Sequence, residues 1–115
     1  MDFMSYKVTP GGVEKYLASR KKRGVRAFFH VRSLSDCVFE GLDFTNAVFG
    51  QCNLSGSIFR DCVFKGAVFV NTDLIFSEFL RCDFADAHLH GANFSRIRFR
   101  DVSFVFAKLL FANFW

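Results

Sequence analysis

Few side chains in this 115-residue chain have the type to do chemistry, and their spacing limits what they can do. The four cysteines, Cys37, Cys52, Cys62 and Cys82, are separated by multiples of five residues. They form no CxxC pair, and no Cys/His set has the spacing of a zinc site. His88 and His90 flank Leu89 in "HLH". Two residues apart in an extended segment, their imidazoles share one side, which is half of a metal site with no third ligand in view. No paired carboxylates, no Gly-rich phosphate loop and no Ser-His-Asp arrangement can be argued. A basic run remains, Lys15, Arg20, Lys21, Lys22, Arg23 and Arg26. It reads either as a solvated helix face or as a contact surface for nucleic acid or an acidic membrane surface. The expectation is a non-enzyme with no catalytic residue, metal or cofactor.

The fivefold spacing of the cysteines belongs to a larger pattern. Residues 37–56 divide as "CVFEG LDFTN AVFGQ CNLSG", and the third residue of every block is Phe or Leu. The period continues unbroken to Phe114, so all sixteen third positions are Phe or Leu although those types make up only 27 of 115 residues. A helix would scatter these side chains, because five steps of about 100° overshoot a full turn by about 140°. A continuous strand would alternate them between faces, since five is odd. The chain must therefore turn once per block. First positions are mostly small, and nine of the fifteen fifth positions are Gly, Asn or Asp, which tolerate left-handed turn geometry.

With blocks such as "ADAHL HGANF", "TDLIF" and "CDFAD", residues 37–115 resemble a pentapeptide-repeat protein, whose consensus is Ala-(Asp/Asn)-Leu/Phe-X-X. The resemblance implies an all-β solenoid, a right-handed quadrilateral β-helix of about four coils. It also implies that first and third side chains point inward and the other three outward.

Four blocks per coil predicts that residues twenty apart stack in columns. The columns match: Phe39, Phe59, Phe79 and Phe99; Phe44, Phe64, Phe84 and Phe104; Ala47, Ala67, Ala87 and Ala107. One column changes from Phe49 and Phe69 to Leu89 and Leu109, and another from Leu54 and Leu74 to Phe94 and Phe114. Outward, Glu40 falls beside Arg60 and Glu78 beside Arg98. All four cysteines fall at inward first positions and read as small core residues, free thiols in a reducing cytoplasm, although Cys62 and Cys82 stack closely enough for a disulfide. His88 and His90 read as surface histidines. At about 4.8 Å per coil the rod is about 19 Å long.

Residues 1–36 differ. Residues 1–32 hold eight Lys or Arg against Asp2 and Glu14, a net +6, whereas 33–115 nets −2. "TPGGVEKYLASRKKRG" predicts a short helix capped by Thr9, with Val13, Tyr16 and Leu17 on one face and Gly24 at its end. Residues 25–36 are expected to form an irregular first coil, with Ala27 and Phe29 spaced as in a block. The expected organisation is a basic N-terminal cap over 1–36 and a β-helix over 37–115. No signal peptide or membrane span stands out, which predicts a soluble, cytoplasmic protein.

Function is then expected on the outer surface, and the first expectation is a rigid scaffold for a protein partner of unknown identity. The resemblance also brings the family's quinolone-resistance branch, whose acidic rods mimic DNA and bind gyrase. About 19 Å of duplex carries about eleven negative charges, against −2 here, and the blocks contain no projecting loop. A third role is nucleic-acid binding through the basic helix. The sequence stops at "VFAKLLFANFW", one residue short of a full block, without a polar cap. The apolar outward residues Val105, Phe106, Leu110, Phe111 and Trp115 there predict an interface, rimmed by Arg96, Arg98, Arg100 and Lys108 and most simply closed as a homodimer.

Overall fold

In the computed structural model, residues 9–30, 33–110, 112 and 113 are described. Asp2, Phe111, Phe114 and Trp115, named above, lie outside them. The described residues form one helix, α1 (Pro10–Lys22), and seven three-residue strands: β1 (Phe28–His30), β2 (Val38–Glu40), β3 (Val48–Gly50), β4 (Ile58–Arg60), β5 (Val68–Val70), β6 (Glu78–Leu80) and β7 (Arg98–Arg100).

All ladders are parallel and join residues twenty apart. β1-β3-β5 form one sheet and β2-β4-β6-β7 the other, with Phe39 opposite Phe59 and Phe49 opposite Phe69. Isolated parallel bridges such as Asp43 to Val63 and Asn53 to Asp73 continue the same offset on the two remaining sides. The fold is therefore a four-sided parallel β-solenoid with twenty residues per coil.

Every described fifth position from Gly41 to Phe106 has a positive φ, between 49° and 69°. These are the corners. Gly, Asn and Asp adopt this region at little cost, but Gln51, Phe76, Arg81, Arg96 and Phe106 adopt it too, against their steric preference. On the two sides without strands the corner belongs to a tight turn, closed by bonds such as Ala47 N–H to Phe44 C=O at 3.0 Å and Ala67 to Phe64 at 3.0 Å. There the second residue is often Asp or Asn, and its carboxyl or amide oxygen accepts from the N–H two residues on. Asp43 does so from Thr45 at 2.9 Å, Asn53 from Ser55 at 2.9 Å and Asn93 from Ser95 at 3.0 Å.

The interior is filled by stacked rings. Phe44, Phe64 and Phe84 lie with centroids 4.9 and 4.7 Å apart, and Phe39, Phe59 and Phe79 with 5.0 and 4.9 Å, all nearly parallel. Neighbouring columns meet edge-on, as Phe79 does Phe84 at 5.1 Å. First-position hydroxyls and thiols are buried, Cys37 only partly, without being orphaned. Ser57 Oγ donates to the Leu34 carbonyl at 2.6 Å and Cys52 Sγ to that of Phe29 at 3.0 Å, both one coil back. Toward the last coil, Phe99, Phe104 and Leu109 are only partly buried.

Helix α1 closes the opposite end. The Thr9 hydroxyl accepts from Gly12 N–H at 3.0 Å, and Gly24 leaves the helix at φ 68°. Val13 and Tyr16 are buried, with the Tyr16 ring edge-on to Phe29 at 5.3 Å. The Tyr16 hydroxyl accepts from the Phe28 N–H at 2.9 Å and donates to its carbonyl at 3.2 Å. One phenol thus takes the place that a preceding coil would fill on strand β1. Ala27 and Phe29 are buried, and Phe29 stacks on Phe49 at 5.0 Å, so the twenty-residue register already holds at Ala27.

Candidate functional site

The interior offers no chemistry to a ligand. Cys52, Cys62 and Cys82 are buried and Cys37 partly so, all as free thiols. A hydrogen bond to Cys82 and burial push the Cys62 thiol well above its ordinary value, and burial does the same for Cys37. His88 and His90 lie on one outer side as expected, and His90 Nδ1 accepts from the Leu110 N–H at 3.1 Å. Among the described residues no group of three His, Cys, Asp or Glu could hold a metal ion, and no helix is long and apolar enough to cross a membrane.

The outer surface is chemically divided. On the β2-β4-β6-β7 side, eight of the twelve outward residues are charged. Six of the eight pair up the rungs: Glu40 with Arg60 at 3.2 Å, Asp61 with Arg81 at 2.6 Å and Glu78 with Arg98 at 3.4 Å. The Arg81 hydrogen bond holds the Asp61 carboxyl below its usual range. Two of these pairs were expected from the sequence; Asp61–Arg81 follows the same twenty-residue rule.

The opposite side, built on β1-β3-β5, has one formal charge among its thirteen described outward residues, Lys108. Phe28, Val48, Val68, His88 and Lys108 form one column, and His30, Gly50, Val70, His90 and Leu110 the other. Phe28, Val70 and Leu110 are 47%, 48% and 62% exposed. His30 lies over Gly50, where a Cβ would stand 3.0 Å from its Nδ1. The ladder β1-β3-β5 gives way to isolated bridges at His88, in the same block where the inward column changes from Phe69 to Leu89. Columns spaced by twenty could have exposed this uncharged side in the sequence; the outward second and fourth positions carry the signal.

The last coil adds Val105 at 56% exposure and Phe106 at 82%, the latter at the corner adjoining the uncharged side. Phe76 occupies another corner, 56% exposed, with the Arg96 guanidinium 5.5 Å from its ring centroid. Both phenylalanines hold the left-handed conformation without burying their rings.

The basic residues divide into two groups. Arg20 donates to the Arg26 carbonyl and stands 5.9 Å from the Phe28 ring centroid; Arg26 donates to the Asn46 carbonyl at 2.8 Å; Lys21 pairs with Asp43 at 3.7 Å. These three fasten α1 to the solenoid. With Leu17, Gly24 and Thr45 they line an open groove of ≈ 270 Å³. Lys15, Lys22 and Arg23 project into solvent.

A family model described as a pentapeptide repeat region matches residues 32–109. No curated protein sequence matches the chain. Among solved structures it is similar to HetL, a pentapeptide repeat protein involved in heterocyst differentiation regulation from the cyanobacterium Nostoc sp. strain PCC 7120. That match has a TM-score of 0.74 at 20% identity over 90% of this chain and 46% of that one. It is also similar to trypsin-treated QnrB1, a plasmid-mediated fluoroquinolone resistance protein, with a TM-score of 0.50 at 18% identity over 76% of this chain and 58% of that one. The chain thus spans about half the length of the solved proteins it matches, and the likeness is one of fold.

Proposed function

Because this chain belongs to the pentapeptide-repeat family, we propose that it is a non-catalytic scaffold that docks a protein partner on its uncharged β1-β3-β5 side. The observation that carries this reading is the division of the surface. Most charges of the charged side are taken up in its own ion pairs, whereas Phe28, Val70 and Leu110 face water on a side whose described outward residues carry one formal charge, Lys108. Phe28, Val48, Val68 and Val70 adjoin one another on successive rungs, the middle two half-buried, and Leu110 stands beyond His90; contiguous exposed apolar surface on a folded protein marks an interaction site. The test is isolation of the tagged protein from its own cells. A partner retained by wild type and by Leu80→Glu, on the charged side, but lost from Val70→Glu supports the reading; equal retention by both variants removes it.

A second reading is self-association through the last coil, favoured by the exposure of Val105, Phe106 and Leu110. Sedimentation equilibrium of wild type against Phe106→Glu, Leu110→Glu tests it, and a wild-type monomer at tens of micromolar rules it out. DNA mimicry of the gyrase-binding kind has weaker support. Glu40, Asp43, Asp61, Glu78 and Asp83 each stand beside a Lys or Arg, so they present no phosphate-like array. Nucleic-acid binding through the basic N-terminal run has weaker support, since Lys21 is paired with Asp43, and Arg20 and Arg26 are directed at the edge of the solenoid, which leaves Lys15, Lys22 and Arg23 projecting into solvent.

A further inference from the structure

The uncharged side is bounded by cations at both ends. Near β1, Arg20 lies over the Phe28 ring and Arg26 is held against the Asn46 corner; at the far end Lys108 follows His88 in the ladder. No Asp or Glu points outward from this side among the described residues, Asp86 standing at its corner. We propose that this surface receives an amphipathic α-helix of a partner protein, its apolar stripe bracketed by acidic residues. The inference rests on the docking role proposed above and names the chemistry of what docks.

Dimensions and charge both point to a helix. Five rungs from Phe28 to Lys108, at about 4.8 Å each, span about 19 Å, the length of about thirteen helical residues. Two outward columns make a stripe about one helix wide. Backbone N–H and C=O groups on this side bond from rung to rung, Val48 to Ala27, Val68 to Ala47, His88 to Ala67 and Lys108 to Ala87, so an added strand finds no open ladder across the face. A second copy of the same surface fits poorly: with cations at both ends, either orientation sets like charges against each other. The footprint, about 19 by 10 Å, is also well below the roughly 800 Å² per partner of standard-size interfaces, and suits a weak single-helix contact.

Fluorescence anisotropy with a designed probe tests this. The probe is a labelled helix of about 14 residues with Leu and Ala at i, i+3, i+4 and i+7 and Glu in both terminal turns; its twin carries Lys in place of Glu. At low salt the Glu probe should bind with a Kd in the tens of micromolar, on the order expected for so small a contact. The Lys twin should bind at least about tenfold more weakly, as should the Glu probe to Val70→Glu, while Leu80→Glu behaves as wild type. Val70 is exposed, and an unchanged far-UV circular dichroism spectrum of the variant shows that its fold is intact. No saturable binding, equal binding of the two probes, or indifference to Val70→Glu overturns the proposal. If Val70→Glu loses its cellular partner while neither probe binds, docking stands and the acidic helix falls. If Val70→Glu keeps its partner, both fall.

Discussion

The rings of Phe64 and Phe84 lie within 5° of parallel with their centroids 4.7 Å apart, and both are fully buried. Each ring also meets its neighbours in adjacent columns, Phe64 against Phe79 at 5.9 Å and Phe84 against Phe79 at 5.1 Å. Removing one leaves a cavity that a hydrogen-bonded coil cannot close. Phe64→Ala should destabilise by about 3–5 kcal/mol, whereas the exposed Thr45→Ala should cost about 0.5 kcal/mol. Urea unfolding of both variants checks this, and equal effects would contradict the inward assignment of Phe64.

The phenol of Tyr16 serves both backbone groups of Phe28. Tyr16→Phe keeps the ring packing on Phe29 but leaves a partly buried strand edge short of a donor and an acceptor. The expected loss is about 1–3 kcal/mol, with faster amide exchange at β1 than in wild type. Unchanged stability and exchange would show that water replaces the hydroxyl without cost.

Phe106 stands at φ 59° with most of its ring in water, in a column whose earlier members are Asn46, Gly66 and Asp86. A bulky residue in the left-handed region costs about 1–2 kcal/mol, and Asn tolerates it. Phe106→Asn should therefore raise stability by about 0.5–1 kcal/mol in thermal melts. Any loss would mean that the ring packs more than its exposure suggests. A gain in stability with loss of a partner would instead show why the strained residue is kept.

Arg81 holds the Asp61 carboxyl below its ordinary value of 3.8, chiefly by hydrogen bonding. Because the folded value is the lower one, this pair's contribution is fully present above the unfolded pKa and is lost as pH falls through the folded pKa. Both side chains are exposed, so the contribution is small and screened by salt. In an NMR titration Asp61 should show a midpoint below the ordinary carboxylate value, and the midpoint should rise in Arg81→Gln. An identical midpoint in both proteins would contradict the pairing.

Much of this architecture is legible in the sequence because a solenoid converts sequence spacing into contact. Phe39 meets Phe59 and Glu40 meets Arg60 for the same reason, a twenty-residue coil. The corners are legible for Gly, Asn and Asp but not for Phe76 or Phe106, where the register of the whole coil imposes a conformation that the residue disfavours. The alternation of strand and turn sides is harder to read. Val38, Val48 and Ile58 mark strands and Asp43, Asn53 and Asp73 mark turns, yet Val63 occupies a turn side with Gly66 supplying its corner. Tyr16 looks like one apolar residue of a helix face, and its double bond to Phe28 depends on where α1 docks, which no local pattern specifies. The uncharged side emerges only when outward residues are sorted by side, a step that needs the coil before it can be taken.

The claim that function resides on the β1-β3-β5 side is tested most directly by photo-crosslinking in living cells. A photoreactive residue at position 70, in place of Val70, is compared with one at position 80, in place of Leu80 on the charged side. The account predicts a discrete protein adduct from position 70, suppressed by Lys108→Glu, and none from position 80. Adducts from position 80 alone, or the same adducts from both positions, would contradict it.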